Sequence, residues 1–424
     1  LDRLAAEGVN CPRAWSTTPI CHPARASLIT GLYPYAHGML TNGTFAGGWP
    51  FTVRAEVPVL PELLRNAGYR TGYAGQCHIE ISGWDDHRNQ WTRDYLSWLR
   101  EQGYPQESPP PEAARWLCGT VPYGPELTRE AQFCRRGLEL LDDLCGQSQP
   151  WFMQLDFDGP HPPCWLPESH AGRYDPTSLP LPETLRSDLA DRPEWVRLAR
   201  RRQGSAERSD ADWQRYNAYY HGQVTMIDEL LGRVLERLDQ HGQADNTLVV
   251  FTSDHATPVG YHGFAVHGGP TLYEAVLRVP LVVRWPAGLP AGCPSEAAIE
   301  HVDLVPTLLE AAGADPVPSH GESALGALRG ESSDCADQSY HVYNGTGTLF
   351  FSVRAYQQEG WKLIYTPVAE PELYHTATDP YESCNLAGQP ETAATEQRLR
   401  RALLAEMERV DDPLRRYCRS DLER

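Results

Sequence analysis

Eleven residues, Cys21-His22-Pro23-Ala24-Arg25-Ala26-Ser27-Leu28-Ile29-Thr30-Gly31, join a reactive side chain to a helix that would point at it. Pro23 suits a first helical turn, where its missing N–H costs nothing, and Gly31 suits the left-handed position after the last turn. Ala24, Arg25, Ala26 and Leu28 tolerate a helix between them. Cys21 then stands at the helix N-terminus, where free backbone N–H groups and the positive end of the dipole favour a thiolate, an oxyanion or a bound anion. Arg25, about one turn on, adds a fixed charge. Other polar groups gather where strands are expected to end. Residues 69–74 read as a strand running into Gly75-Gln76-Cys77-His78. Residues 151–157 read as a second, closed by Asp158-Gly159-Pro160-His161-Pro162-Pro163, a stiff turn that fixes His161. Residues 247–251 form a continuous apolar run, as in a strand covered on both faces, and terminate in Thr252-Ser253-Asp254-His255.

The surrounding pattern is that of an open α/β sheet, in which ligands bind beyond the carboxyl ends of strands. Residues 211–240 predict the longest helix: Trp213, Tyr216, Tyr220, Val224, Ile227, Leu231, Val234 and Leu238 step by three or four, Ser209 with Asp212 forms a capping box, and Gly242 ends it. Residues 280–284 predict a further strand, and 303–312 a helix stopped by Gly313. Residues 81–124, rich in Trp, Pro and charge, read as loops over the sheet and as candidate substrate-facing surface. A boundary rich in Gly, Pro and Ser falls at 314–338, so the expected domains are 1–325 and 326–424, the second a small α+β unit. The formal charge of −19 argues against nucleic-acid binding, and no apolar run is long enough to span a bilayer. Eleven cysteines without close pairs read as free thiols of a reducing compartment, which favours a cytoplasmic location.

Cys-x-Pro-x-Arg followed by Ala-Ser-Leu-x-Thr-Gly resembles the signature of the type I sulfatases of the alkaline phosphatase superfamily. The resemblance extends along nearly the whole chain: Ala67-Gly68-Tyr69-Arg70-Thr71 with His78, the turn at 158–163, Asn246-Thr247 through Asp254-His255, Gly260-Tyr261-His262-Gly263, and Glu372-Leu373-Tyr374 with Asp379-Pro380 and Asn385-Leu386. It implies a large mixed, mostly parallel sheet sandwiched by helices. It also implies that a formylglycine-generating enzyme oxidises Cys21 to formylglycine, whose hydrated aldehyde attacks sulfur in line. On the same basis Arg25 orients the nucleophile, and His78 and His161 contact the transferred group or protonate the leaving oxygen. Asp254, His255 and residue 21 hold a divalent cation, Ca²⁺ by family default, with Mn²⁺ or Zn²⁺ also admitted by the imidazole. The expected substrate is a small-molecule or carbohydrate sulfate ester.

The pattern departs from the family in three places. Gln76 and His267 stand where the family usually has the lysines that bind the sulfate oxygens, so both are read as substrate-binding without a permanent charge. The family also has a strand ahead of the first helix that supplies two more carboxylates to the metal. The sequence opens on Leu1 without it, and the expectation is an N-terminally truncated chain. The two other readings of the sequence are a phosphonate monoester or phosphodiester hydrolase on the same scaffold, and a catalytically inactive homologue that binds sulfated ligands.

Overall fold

The computed structural model describes residues 1–42, 52–76, 78–89, 92–111, 116–267, 271–331, 337–346 and 351–423. The architecture is α/β, with the strands divided among several sheets. One is wholly parallel, in the order Asp86–Asn89, Arg70–Gly75, Trp151–Asp156. Another is mixed: Val9–Asn10 lies between Cys293–Pro294, parallel to it, and Leu281–Arg284, antiparallel to it, and Val249–Thr252 flanks the last. The chain between 252 and 281 returns through a short helix, Glu274–Leu277, without a full crossover, so those two strands run antiparallel.

Trp151–Asp156 and Val249–Thr252 are the edges of these two sheets among the described residues, and every residue in both is only half-buried. An apolar run therefore did not mean full burial here, because each strand has a neighbour on one edge only. The Asp210–Gln240 helix behaves as its periodicity predicts. Ser209 Oγ accepts from Asp212 N, the Asp212 carboxylate accepts from Ser209 N, and Trp213, Tyr216, Ile227, Leu231 and Leu238 are buried.

Residues 81–124 are more regular than expected. They contain the Asp86–Asn89 strand and the Thr92–Glu101 helix, whose Tyr95 and Leu99 pack with Val121 and Tyr123. The four-residue spacing of Tyr95 and Leu99 was hidden by the polar residues around it. Trp84 stacks on Phe152 (centroids 5.7 Å apart) and Trp98 packs beside Tyr95, both as ordinary core aromatics; Trp91 lies outside the described residues.

Toward the C-terminus an antiparallel meander, Gln338–Tyr343, Val353–Gln358, Trp361–Tyr365 and Glu372–His375, carries the Ala393–Arg409 and Arg415–Leu422 helices. One hydrophobic cluster joins this unit to the rest, uniting Trp15, Ile20, Phe264 and Leu277 with Tyr343, Val353 and Tyr374. Among the described residues no helix is long and apolar enough to cross a membrane, and no disulfide joins the cysteines.

Candidate active site

Cys21 opens a ten-residue helix, Cys21–Thr30, closed by Gly31 at φ 70°. Gly31 is required there twice over: the left-handed conformation disfavours a side chain, and a Cβ would lie 2.6 Å from Ser319 Oγ. The far end of the helix is thus fixed against the 319–320 segment, where Ser319 Oγ and His320 N both donate to the Gly31 carbonyl. The reactive end is enclosed, with Cys21 only 4% exposed.

Three histidines surround the sulfur. His255 Nε2 lies 3.1 Å from Cys21 Sγ and His267 Nε2 3.6 Å, while His161 packs edge-on to His267 with centroids 4.8 Å apart. Burial pushes the Cys21 thiol up, but the charge of His255 and hydrogen bonds to His161, His255 and His267 outweigh it and hold the thiol well below its usual range. Burial lowers His255, yet Asp254 and Cys21 more than compensate and raise it to about 9. His161 is raised for a similar reason, burial being outweighed by its contact with Cys21. Burial, reinforced by the charge of His255, drops His267 to about 4. Residue 267 is consequently a neutral imidazole near pH 7.

Arg25 lies one turn along the same helix and bridges two acids at two different strand ends. Its Nε donates to Asp254 Oδ2 and its Nη1 to Asp156 Oδ2, both at 2.9 Å. Burial disfavours the guanidinium, but Asp254 and Asp156 keep it charged. Asp254 is in turn tied down: its Oδ1 accepts from His255 N at 2.9 Å and its carbonyl accepts from Ser16 Oγ at 2.6 Å. Burial raises Asp254, and His255 and Arg25 reverse the shift to leave it below the usual carboxylate range.

Asp156 is the residue the motif reading missed. It ends the Trp151–Asp156 strand, receives Tyr73 Oη at 3.0 Å, and is held by Gln154 Nε2 at 3.1 Å. The available signal was its position, an acid closing an apolar strand as Asp254 does, with no motif to mark it.

The structure brings Cys21, Arg25, His161, Asp254, His255 and His267 together. His78 and Gln76 stand to one side. His78 Nε2 is 3.7 Å from Asp158 Oδ1, its ring meets His22 edge-on at 5.8 Å, and it shares a small cavity with Arg25, Tyr73 and Asp156. Asp158 is also held by Arg129, whose Nη1 is 3.1 Å away and which pairs with Glu107. Gln76 N donates to the Asp156 carbonyl, and its buried Oε1 has no hydrogen-bond partner among the described residues.

For a cation, Cys21 Sγ, a carboxylate oxygen of Asp254 and a ring nitrogen of His255 lie within 4.8 Å of one another. His255 Nδ1 faces the Ala256 carbonyl at 3.1 Å, which turns Nε2 toward the cluster as in histidines that bind metal. The set fits a divalent ion that accepts nitrogen ligands. Ca²⁺ would need several more oxygens than these residues supply.

A buried nucleophile position at a helix N-terminus, with fixed charge on one side and imidazoles on the other, suits attack on a tetrahedral oxyanion ester, and the class is a hydrolase of such esters on an α/β scaffold. The Sulfatase family model matches residues 1–314, and the model of the N-sulphoglucosamine sulphohydrolase C-terminal region matches 261–409. The chain therefore belongs to the sulfatase family, within the alkaline phosphatase superfamily. It is similar to an uncharacterized sulfatase, YidJ, of Escherichia coli K12, at 27% identity over 98% of this chain and 83% of that protein. It is also similar to an N-acetylglucosamine-6-O-sulfatase of Bacteroides thetaiotaomicron, at 26% identity over 95% of this chain and 80% of that protein. Among solved structures, a phosphonate monoester hydrolase from Silicibacter pomeroyi superposes with a TM-score of 0.86 at 27% identity, covering 97% of this chain and 91% of that one.

Proposed function

We propose that this protein hydrolyses a sulfate ester of a carbohydrate, with formylglycine at position 21 and a divalent cation held by Asp254 and His255. The observation that carries this reading is the Cys21 helix: its first residue is the buried focus of three imidazoles, and its arginine is locked between two strand-end acids. Formylglycine, when present, supplies a hydroxyl nucleophile that an unmodified thiol does not offer. The cation supplies positive charge beside the developing oxyanion.

The protein's own groups do the remaining work. The Asp156–Arg25–Asp254 bridge fixes the helix end so that residue 21 meets the substrate in one orientation. His161, beside residue 21, is placed to hydrogen-bond a sulfate oxygen or the leaving oxygen. Neutral His267 and Gln76 donate or accept hydrogen bonds where the usual lysines would add charge. Selectivity then rests on geometry more than on net attraction. The sum of the reaction is addition of water, cleavage of the ester bond, and release of an alcohol and sulfate. The similarity to an N-acetylglucosamine-6-O-sulfatase supports a sugar as the alcohol.

A second reading, phosphonate monoester hydrolysis, is favoured by the TM-score of 0.86 to a phosphonate monoester hydrolase. The two separate by relative turnover of an aryl sulfate and an aryl phosphonate monoester by protein co-produced with a formylglycine-generating enzyme. The sulfate is the expected better substrate. Cys21→Ala should reduce turnover of either to background, and undiminished turnover in that variant would exclude the mechanism.

A further inference from the structure

Cys21 Sγ, His161 and His267 offer three ligand atoms within 4.8 Å of one another, a group distinct from the Asp254 side of the site. His255 Nε2, 3.1 Å from the same sulfur, belongs to the Asp254 group. In two of the three histidines the other nitrogen is already committed: Nδ1 of His255 faces the Ala256 carbonyl and Nδ1 of His161 faces the Pro162 carbonyl. With Nδ1 committed to a carbonyl, it is Nε2 of each ring that remains to face the cluster. A sulfur with the ring nitrogens of His161 and His267 gathered around it is a donor set that a soft cation takes.

The spacing supports this. Zinc–sulfur and zinc–nitrogen bonds of about 2.3 and 2.05 Å at a tetrahedral angle place sulfur and nitrogen about 3.6 Å apart. His267 Nε2 is 3.6 Å from Cys21 Sγ, the spacing those bonds require. The rings already stand around the sulfur, His255 and His267 at 4.0 Å between centroids and His161 and His267 at 4.8 Å. His267 stands where the resemblance predicts lysine, which ligates no metal as an ammonium, so one of the three ligands is a departure from the family's usual pattern.

We propose that the chain with Cys21 in its thiol form binds one zinc ion through Cys21, His161 and His267. This does not depend on the substrate or on the hydrolytic reading. It concerns the unmodified chain, whereas catalysis concerns the formylglycine form. Bound zinc would occupy the thiolate and shield it from alkylation.

The test uses the full chain produced without a formylglycine-generating enzyme, with the thiol at position 21 verified by intact mass, and with Co²⁺ as the spectroscopic probe followed by competition with Zn²⁺. The expected result is one equivalent of Co²⁺, a thiolate-to-cobalt charge-transfer band and intense tetrahedral visible bands, all displaced by Zn²⁺. Cys21→Ser should abolish the charge-transfer band. His267→Ala should weaken affinity by at least about tenfold, while Asp254→Asn keeps the band. Absence of the band in the unmodified chain overturns the proposal. So does a band that survives in His267→Ala but is lost in Asp254→Asn, because the ion would then sit on the carboxylate side. Turnover by the formylglycine form is measured on a separate preparation, so failure of either result leaves the other readable.

Discussion

Two arginines, Arg354 fully buried and Arg25 half-buried, show how the same group is used for shape in one region and for chemistry in another. Arg354 lies in the C-terminal sheet, fully buried against Asp412. Its Nε meets Oδ2 at 2.6 Å, its Nη2 meets Oδ1 at 3.2 Å, and its Nη1 reaches the carbonyls of Val353 and Tyr343. Asp412 also accepts from Tyr340 Oη and from Leu414 N. The pair is neutral overall and its hydrogen bonds close on themselves. Arg25 instead shares one positive charge between two acids, Asp156 and Asp254, and leaves the group one negative charge in excess beside a ring of imidazoles. A closed pair specifies a packing arrangement, whereas an unbalanced one keeps electrostatic capacity in reserve for a cation or a transition state.

The largest effect separating them should come from Arg25→Ala. It should lower kcat/KM on an aryl sulfate by roughly 10² to 10³, the scale of losing one preorganised charged donor, when measured per folded molecule. Retention of full activity would make Arg25 a second Arg354. Arg354→Leu is the converse. Leaving Asp412 buried and unpaired should cost about 3–5 kcal/mol of stability in urea unfolding, while activity per folded molecule stays near that of the parent.

Glu130 sharpens the contrast on the active-site side. Burial, with the charge of Asp158 added, raises it to about 7. Because its folded value lies above the unfolded one, the native state holds the extra proton, and stability falls as pH rises from about 4.5 toward 7. Glu130→Gln should therefore stabilise the protein on the order of 2 kcal/mol at pH 8 and little at pH 5. Equal effects at both pH values would show that charge is not the cause. The smallest expected change is Tyr73→Phe, which removes one hydrogen bond to Asp156, costs about 1 kcal/mol, and should alter turnover only a few-fold.

The contrast also explains what could be read in advance. The Cys21 helix, its Gly31 stop, the Ser209–Asp212 capping box and the strand ending in Asp254 and His255 are local, and local rules predicted them. Asp156 meets Arg25 from 131 residues away in sequence and Tyr73 meets Asp156 from 83 away, and no motif marks either one. Arg354 and Asp412 are 58 residues apart and carry no spacing signal. The division of the strands into several sheets was equally hidden, since apolar runs disclose burial but not which edges pair. The neutral state of His267 required its neighbours: by itself it would titrate near pH 6.5, and it falls because it is buried beside a charged His255.

The anchoring of the Cys21 helix has a temporal consequence. Synthesis delivers this helix before the partners that enclose it, and its short-range bonds can form at once. The partners that hold and enclose it arrive much later: His255 lies 234 residues beyond Cys21, His267 lies 246 beyond it, and Ser319 lies 288 beyond Gly31, which it fastens. Until those partners are made, residue 21 lacks the groups that seclude it in the folded chain, and it is enclosed only when the last of these contacts closes. Whatever chemistry must reach that sulfur from outside has its opportunity during the making of the chain, and a slower elongation rate between residues 31 and 319 would lengthen it.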